Sequence, residues 1–254
     1  MPDYRSILIT GASSGIGAAI AQHLARPSVH LWLSGRDFQR LEQVAAACRS
    51  LGAIATVKQL DVSDQSKMAD WIAECDQQLP LDLVIANAGV SIGPKSDFIE
   101  DRKQLDDLLA INITGVLNTV YPALTIMKER KQGQIALVSS LAGYRGMPTA
   151  PAYSASKNFV KSWGEAIAPL AQKHGISVSV VCPGFVKSHI TAKNRFPMPM
   201  LMNADKAASI IVTKLSKKKL IIAFPWPSRL TAWFLSALPS ILASKVLSRL
   251  PQKK

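Results

Sequence analysis

The sequence predicts an α/β fold: a doubly wound parallel sheet of about seven strands with helices on both faces. Three observations predict it. Short apolar, β-branched runs alternate with amphipathic helical stretches from residue 5 to about residue 224. The first such run ends in a glycine-rich turn that opens a helix. Hydrophobic residues make up 48% of the 254 residues, enough for a sizeable core, and no linker or second core divides them. Residues 1–254 therefore read as one domain.

Arg5 to Thr10 is the first strand. Gly11-Ala-Ser-Ser-Gly15-Ile-Gly17 follows, and a helix runs from Ala18 to Ala25. Glycines at that junction permit a tight turn and close backbone approach. The helix start offers free N–H groups and the positive end of its dipole to a pyrophosphate. The spacing is G-x-x-x-G-x-G rather than G-x-G-x-x-G. Val29 to Ser34 is the second strand, closed by Gly35-Arg36-Asp37. A dinucleotide-binding fold reads the adenosine ribose at this point. An acid would accept from the 2′-hydroxyl of NAD, whereas arginine pairs with the 2′-phosphate of NADP. Gly35 stands where the acid would, and Arg36 follows, so NADP(H) is favoured over NAD(H). Asp37 reads as a helix N-cap.

Helical periodicity runs from Asp37 to Leu51 (Phe38, Leu41, Val44, Ala45, Cys48) and stops at Gly52. Ile54 to Leu60 is the third strand, ending at Asp61. Asp64 to Gln78 is a helix with Met68, Trp71, Ile72 and Cys75 as its apolar stripe. Leu81 to Ala86 is the fourth strand and runs into Asn87-Ala88-Gly89. Leu105 to Arg130 is one long helical region with Asn112 in its interior, a mildly unfavourable position. Ile135 to Val138 is the fifth strand, followed by Ser139 and Ser140. The next helix carries Tyr153 and Lys157 and continues to about His174, with Gly175 as its stop. Ile176 to Cys182 is the sixth strand, ending at Pro183-Gly184. A Met- and Pro-rich loop spans 185–204, Asn203 or Asp205 starts a helix, and Lys217 to Phe224 is the last strand.

Composition narrows the partners. Residues 1–165 hold 16 Lys/Arg and 16 Asp/Glu, whereas residues 166–254 hold 14 Lys/Arg and one acid, Asp205, so the whole net charge of +13 lies in the last third. That suits anionic lipid, nucleic acid or an acidic substrate. Dispersed basic residues without a groove-reading motif speak against nucleic acid. Met1 to Arg5 leads straight into a strand, which predicts no signal peptide. Three widely spaced cysteines (Cys48, Cys75, Cys182) fit reduced thiols of a cytoplasmic protein, and four histidines without ligand spacing predict no metal.

Tyr153 and Lys157 stand one helical turn apart. A lysine ammonium beside a phenol favours phenolate and lowers its pKa, so the pair is a candidate acid/base couple, and Ser140 could hydrogen-bond whatever the phenol reacts with. Most Tyr/Lys pairs at this spacing are surface decoration. The context of this one distinguishes it: Thr10-Gly11-x-x-x-Gly15-x-Gly17, Asn87-Ala88-Gly89, Asn112, Ser140, Tyr153-x-x-x-Lys157 and Pro183-Gly184 occur in that order.

At these separations the six motifs resemble the single-domain short-chain dehydrogenases/reductases, over residues 5 to about 224. The resemblance implies a Rossmann-like fold and hydride transfer between a nicotinamide and a carbonyl or alcohol carbon. Tyr153 would be the general acid or base. Lys157 would bind the nicotinamide ribose and lower the Tyr153 pKa. Ser140, thirteen residues before the tyrosine, would orient the carbonyl, and Asn112 would hold a water leading to Lys157. Gly11, Ser13, Ser14, Gly15, Ile16 and Gly17 would lie at the pyrophosphate. Asp61 and Val62 would meet the adenine, with Asn87, Ala88 and Gly89 on the adenosine side. Pro183, Gly184, Val186 and Ser188 would stand near the carboxamide, Ser188 replacing a commoner threonine. The resemblance also implies a homodimer or homotetramer. The rival reading, a cofactor-binding regulator or scaffold without turnover, is opposed by the complete set Asn112, Ser140, Tyr153 and Lys157.

The substrate is not named by any motif. Phe196, Met198, Met200, Leu201 and Met202 in the 185–204 loop would make an apolar lid wall, favouring an apolar or amphipathic carbonyl compound, or would pack on the C-terminal helix. Residues 225–254 read as two short amphipathic helices divided at Pro239. Their uncharged run, residues 230–244, is shorter than the ~20 residues a spanning helix needs. They fit a cover for the substrate cleft, a subunit contact, or a helix lying on an anionic membrane at the inner face.

Overall fold

The computed structural model describes residues 4–91, 93, 99–188, 191 and 198–247. Its strands are β1 (Ser6–Thr10), β2 (His30–Gly35), β3 (Ile54–Gln59), β4 (Leu83–Ala86), β5 (Gly133–Val138), β6 (Ile176–Pro183) and β7 (Ile221–Phe224). All pair in parallel, in the order β3-β2-β1-β4-β5-β6-β7. The chain winds outward from β1 to one edge, then returns to lay β4 on the other side of β1. The carboxyl ends of β1 and β4 thus flank a crevice at which the direction of winding reverses.

The helices are α1 (Gly15–Leu24), α2 (Phe38–Ser50), α3 (Gln65–Gln78), α4 (Arg102–Leu109), α5 (Gly115–Glu129), α6 (Pro151–Gln172), α7 (Ala204–Leu215), α8 (Trp226–Ala237) and α9 (Ser240–Leu247). They explain why the central strands are apolar throughout rather than alternating: both sheet faces are covered. Ile7 and Ile9 point into one core with Ile20, Leu33 and Ile211, under α1, α2 and α7. Leu8 points into the other with Trp32, Val120 and Leu137, under α3, α5 and α6. Each fully buried Leu or Ile contributes about 1.5–3 kcal/mol. Trp32 is buried without an orphaned donor, because its Nε1–H reaches Ser6 Oγ at 3.0 Å, and that hydroxyl donates to the Leu79 carbonyl at 2.9 Å.

Asp37 caps α2 as expected, accepting from the backbone N–H of Arg40 at 3.0 Å, and Asp64, read as the first residue of its helix, instead caps α3 by accepting from the N–H of Lys67 at 3.1 Å. Several expectations need correction. Helix α1 starts at Gly15, three residues early, since the glycine turn itself winds into the helix. Phe38 heads the α2 stripe but is 49% exposed, and the buried stripe begins at Leu41. Lys217 and Lys218 belong to a turn, with Lys218 at φ 48°, and the last strand begins only at Ile221. The helix expected from Leu105 to Arg130 begins at Arg102 under an Asp101/Gln104 capping box and changes pitch midway. Residues Ala110–Thr114 form a π-helical turn, and Asn112 lies at its centre. The stretch from Arg102 to Glu129 is long and apolar enough to cross a membrane by composition, yet it buries Leu108, Val116, Val120, Ala123 and Met127 inside the protein.

Candidate active site

A cavity of about 470 Å³ opens at the carboxyl edge of the sheet, over the β1/β4 crevice. Residues from the carboxyl ends of the central strands line it, in three main groups and a closing wall after β6.

The first is the glycine turn. Gly11 and Gly15 adopt φ of 65° and 57°, which favours glycine. A Cβ on Gly11 would stand 2.7 Å from the Ala88 Cα, so the turns after β1 and β4 touch. Asn87 ties them together: its Nδ2 donates to the carbonyls of Thr10 (3.0 Å) and Gly11 (3.1 Å). The backbone N–H groups of Asn87 and Ala88 both donate to Thr10 Oγ1, at 3.1 and 3.2 Å. Ser14 is the N-cap of α1 but its side chain makes no capping bond. The helix start therefore faces the cavity with its amides uncapped by side chains, beside Gly11, Ser13, Ser14, Gly15 and Ile16. Gly17 does not line the cavity. It lies behind the turn, where a Cβ would stand 2.5 Å from both Asn87 Nδ2 and the Gly11 carbonyl, so its role is packing.

The second group is Gly35, Arg36, Asp37, Arg40, Asp61 and Val62. Arg36 extends into solvent with Nη1 3.9 Å from Asp61 Oδ2. Asp37 is engaged by Arg40, whose Nε donates to Oδ2 at 2.6 Å. The backbone N–H of Arg40 and then its guanidinium hold the Asp37 carboxyl below its ordinary range. Sequence reading missed Arg40, although it stands one turn after Arg36 on the face that α2 presents to the end of β2.

The third group holds the candidate chemistry. Ser139 donates to the Lys157 carbonyl at 2.6 Å, pinning α6 to the end of β5. Ser140 accepts from Ala142 N–H at 3.1 Å and donates to the Pro183 carbonyl at 3.4 Å, a long bond that a substrate oxygen could replace. Tyr153 and Lys157 follow on the first two turns of α6, which opens with Pro151. Lys157 Nζ donates to the Val138 carbonyl at 2.9 Å and lies 5.9 Å from the centroid of the Tyr153 ring. Burial lowers the Lys157 ammonium to about 8. The Tyr153 phenol moves the other way from the expectation: burial raises it above 10.0, and the Ser140 hydroxyl only partly offsets that. Desolvation acts on both groups more strongly than their mutual charge.

Asn112 is fully buried and does not line the cavity. Its Oδ1 accepts from Val90 N–H at 2.8 Å, and its Nδ2 donates to the Val90 carbonyl at 2.9 Å and to Ser156 Oγ at 3.1 Å. Ser156 in turn donates to the Tyr153 carbonyl at 2.8 Å. The side chain thus joins the β4 turn to the first turn of α6. Gly89 fits between Lys157 Nζ and Asn112 Oδ1, which a Cβ there would approach to 3.2 and 3.3 Å.

Pro183, Gly184, Val186 and Ser188 close the cavity on the β6 side, with Ser188 Cβ 3.0 Å from where a Gly15 Cβ would stand. Val90, Ser91, Ile111 and Thr191 also line it and were missed; Val90 and Ile111 each adjoin a recognised motif residue. Phe196 lies outside the described residues. Met198, Met200, Leu201 and Met202 do not line the cavity. Met200 instead accepts from the Ser228 hydroxyl on α8 at 3.4 Å, and Met202 packs against the first core.

Comparison with known proteins agrees with this geometry. The family model described as short chain dehydrogenase matches residues 5–198. An uncharacterized oxidoreductase of Myxococcus xanthus is 35% identical over 248 residues, covering 97% of this chain and 98% of the relative. A putative ketoacyl reductase of the granaticin polyketide synthase from Streptomyces violaceoruber is 34% identical over 191 residues, or 74% of this chain and 70% of its own. Among solved structures, a short-chain dehydrogenase from Sphingobium yanoikuyae in complex with NADPH superposes with a TM-score of 0.81 at 23% identity, covering 100% of this chain and 98% of that one. A short-chain dehydrogenase from Mycobacterium paratuberculosis bound to NAD gives 0.78 at 22% identity, covering 89% and 98%. The resemblance carried by the six motifs is therefore borne out: the chain belongs to the short-chain dehydrogenase/reductase family of oxidoreductases.

Proposed function

We propose that the protein is an NADP(H)-dependent oxidoreductase that interconverts a carbonyl and a primary or secondary alcohol, acting on an apolar or amphipathic substrate. One observation carries this reading. A single cavity has Ser140, Tyr153 and Lys157 at one end, Arg36 and Arg40 at the other, and the uncapped start of α1 between them.

The residues present fit a dinucleotide. The amides of Gly11, Ser13, Ser14, Gly15 and Ile16 would take the pyrophosphate. Asp61 and Val62 would flank the adenine, with Asn87, Ala88 and Gly89 beside it, and Pro183, Gly184, Val186 and Ser188 would meet the carboxamide. The 2′-phosphate preference rests on two points: Gly35 offers no carboxylate at the end of β2, and the Asp37 carboxylate is already engaged by Arg40. Solved relatives have been seen with NADPH and with NAD, so the preference stands on Arg36 and Arg40.

The bound nicotinamide supplies or accepts the hydride. Tyr153 supplies the proton that an alkoxide oxygen requires during reduction and takes it back during oxidation. Burial raises the phenol's pKa, which opposes proton release, so the positive charge of Lys157 is what favours the phenolate that donation leaves. The Lys157 ammonium, one turn away, stabilises the phenolate left behind. Ser140 donates to the substrate oxygen and so fixes its distance from Tyr153. Asn112 acts through the fold, holding the first turn of α6 by way of Ser156. Val90 and Ile111 give the pocket an apolar wall, which supports the substrate class. Three buried free cysteines support a cytoplasmic setting, and the exposed Tyr121 on α5 and Leu170 on α6 leave surface for a homodimer or homotetramer.

The test is loss of NADPH absorbance against a panel of apolar ketones and aldehydes. Tyr153→Phe should lower turnover by ~10²–10⁴-fold while NADPH binding, followed by fluorescence, holds nearly constant. Undiminished turnover by that variant removes the assignment, and absence of turnover in the unaltered protein across the panel favours the scaffold reading.

A further inference from the structure

Helix α8 is built as an amphipathic helix with its apolar side turned out. Pro227 sits in its first turn, and the chain breaks again at Pro239. None of its residues is buried. Trp226, Leu230, Trp233 and Phe234 recur at the spacing of one helical face and are 74%, 55%, 58% and 57% exposed. The other side of α8 packs on β7 and on the turn Leu141–Tyr144, where Arg145 donates to the Ser236 carbonyl at 3.4 Å. Helix α9 docks by Ala243 and Leu247 and leaves Ile241 and Leu242 outward, 73% and 51% exposed. No residue of 225–247 lines the cavity.

We propose that α8 and α9 dock the protein on an anionic lipid bilayer, with these six side chains at the level of the headgroups. Three features select that occupant. The face combines tryptophan, phenylalanine and leucine, the residues that settle at a membrane interface. Arg145, Arg229 and Lys245 flank it, and no acid follows Asp205 anywhere in the chain. The last third of the chain carries the whole net charge of +13, so two copies meeting through this face would oppose surfaces of like charge, whereas an anionic surface complements them. Finally, α8 has 12 residues, about 18 Å of helix against a hydrocarbon core of about 30 Å, so it lies on a bilayer rather than spanning it.

The experiment uses the full chain and vesicles of phosphatidylcholine with about 30% phosphatidylglycerol, against vesicles of phosphatidylcholine alone. The protein should sediment with the anionic vesicles and be released by added salt. The double variant Trp233→Ser/Phe234→Ser should bind at least about tenfold more weakly, with an unchanged melting temperature. A second measurement uses fluorescence. Doxyl-labelled lipid should quench tryptophan emission of the unaltered protein and much less that of a Trp226→Phe/Trp233→Phe variant, because Trp226 and Trp233 are exposed, Trp163 is half-buried against Tyr121 and Phe159, and Trp32 and Trp71 are buried. The proposal is overturned by protein that stays in the supernatant without quenching, or by equal vesicle binding of the double variant. It is equally overturned if the double variant splits an oligomer in sedimentation velocity while vesicle binding is untouched, for then the face belongs to a second copy.

Discussion

Replacing Lys157 with methionine should stabilise the fold while destroying the site. Lys157 is 4% exposed and its pKa falls from 10.5 to about 8 through burial. A tenfold change in proton affinity is roughly 1.36 kcal/mol, so holding this charge inside costs about 3 kcal/mol. Methionine fills similar volume without the charge, but it leaves the Val138 carbonyl without the donor it has at 2.9 Å, which returns about 1–2 kcal/mol. The expected net gain at pH 7 is about 1.5 kcal/mol, or about 4 °C in melting temperature for a chain of this size. The pH dependence gives the sign. The folded pKa lies below the unfolded one, so the unfolded chain binds more protons between them and stability rises with pH there. The penalty is complete below about 8 and fades towards 10.5. Urea denaturation of both proteins from pH 7 to 10 isolates this group, because the other titrations cancel in the difference. The variant should lead at pH 7 and lose its lead by pH 10, with turnover abolished throughout. A variant less stable by over about 1 kcal/mol at pH 7, with a difference flat across that range, would refute the reasoning.

Two further changes probe the other ends of the cavity. On the proposed NADP preference, Arg36→Ala would remove a charge-assisted contact to the 2′-phosphate worth about 1.5–3 kcal/mol, so NADPH should bind about 10–100-fold more weakly while NADH barely changes; fluorescence titration with both cofactors checks this, and equal losses would count against the preference. Thr10→Val keeps the shape but leaves the N–H groups of Asn87 and Ala88 without their shared acceptor, so unfolding free energy should drop by about 2–4 kcal/mol; a drop under about 0.5 kcal/mol in urea denaturation would show that the two turns are held by other means.

Much of this architecture was legible because its signals are local. Strands buried on both faces read as unbroken apolar runs, and Ile7 to Ile9 shows why: neighbours enter different cores. Asp37 announced its helix through ordinary capping chemistry. Tyr153, Lys157 and Ser140 were found by spacing, and the fold brings them to one cavity. What escaped depends on contacts distant in sequence. Gly17 looks like a ligand glycine, but only the position of Asn87, 70 residues on, shows that it packs behind the turn. Arg40 carries no motif and matters because α2 starts beside Arg36. The opposite pKa movements of Tyr153 and Lys157 follow from desolvation, which residue spacing does not encode. The Asp101/Gln104 capping box was available in the sequence and marks the true start of α4.

The π-helical turn Ala110–Thr114 stores the site's alignment as a residue count. Each residue advances an α-helix by about 100°, so the wide turn offsets α4 from α5 by one step relative to an uninterrupted helix. Leu108 on one side and Val116 on the other can both reach buried positions while Asn112 points at Val90 and Ser156 only because of that offset. Deleting a single residue here would give a better regular helix and a worse enzyme: either Asn112 keeps its partners and α4 rolls its apolar side towards water, or α4 keeps its packing and the β4 turn comes loose from α6. Sequence comparisons across this family should therefore treat a gap at 110–114 as a functional change, whatever the substitutions around it.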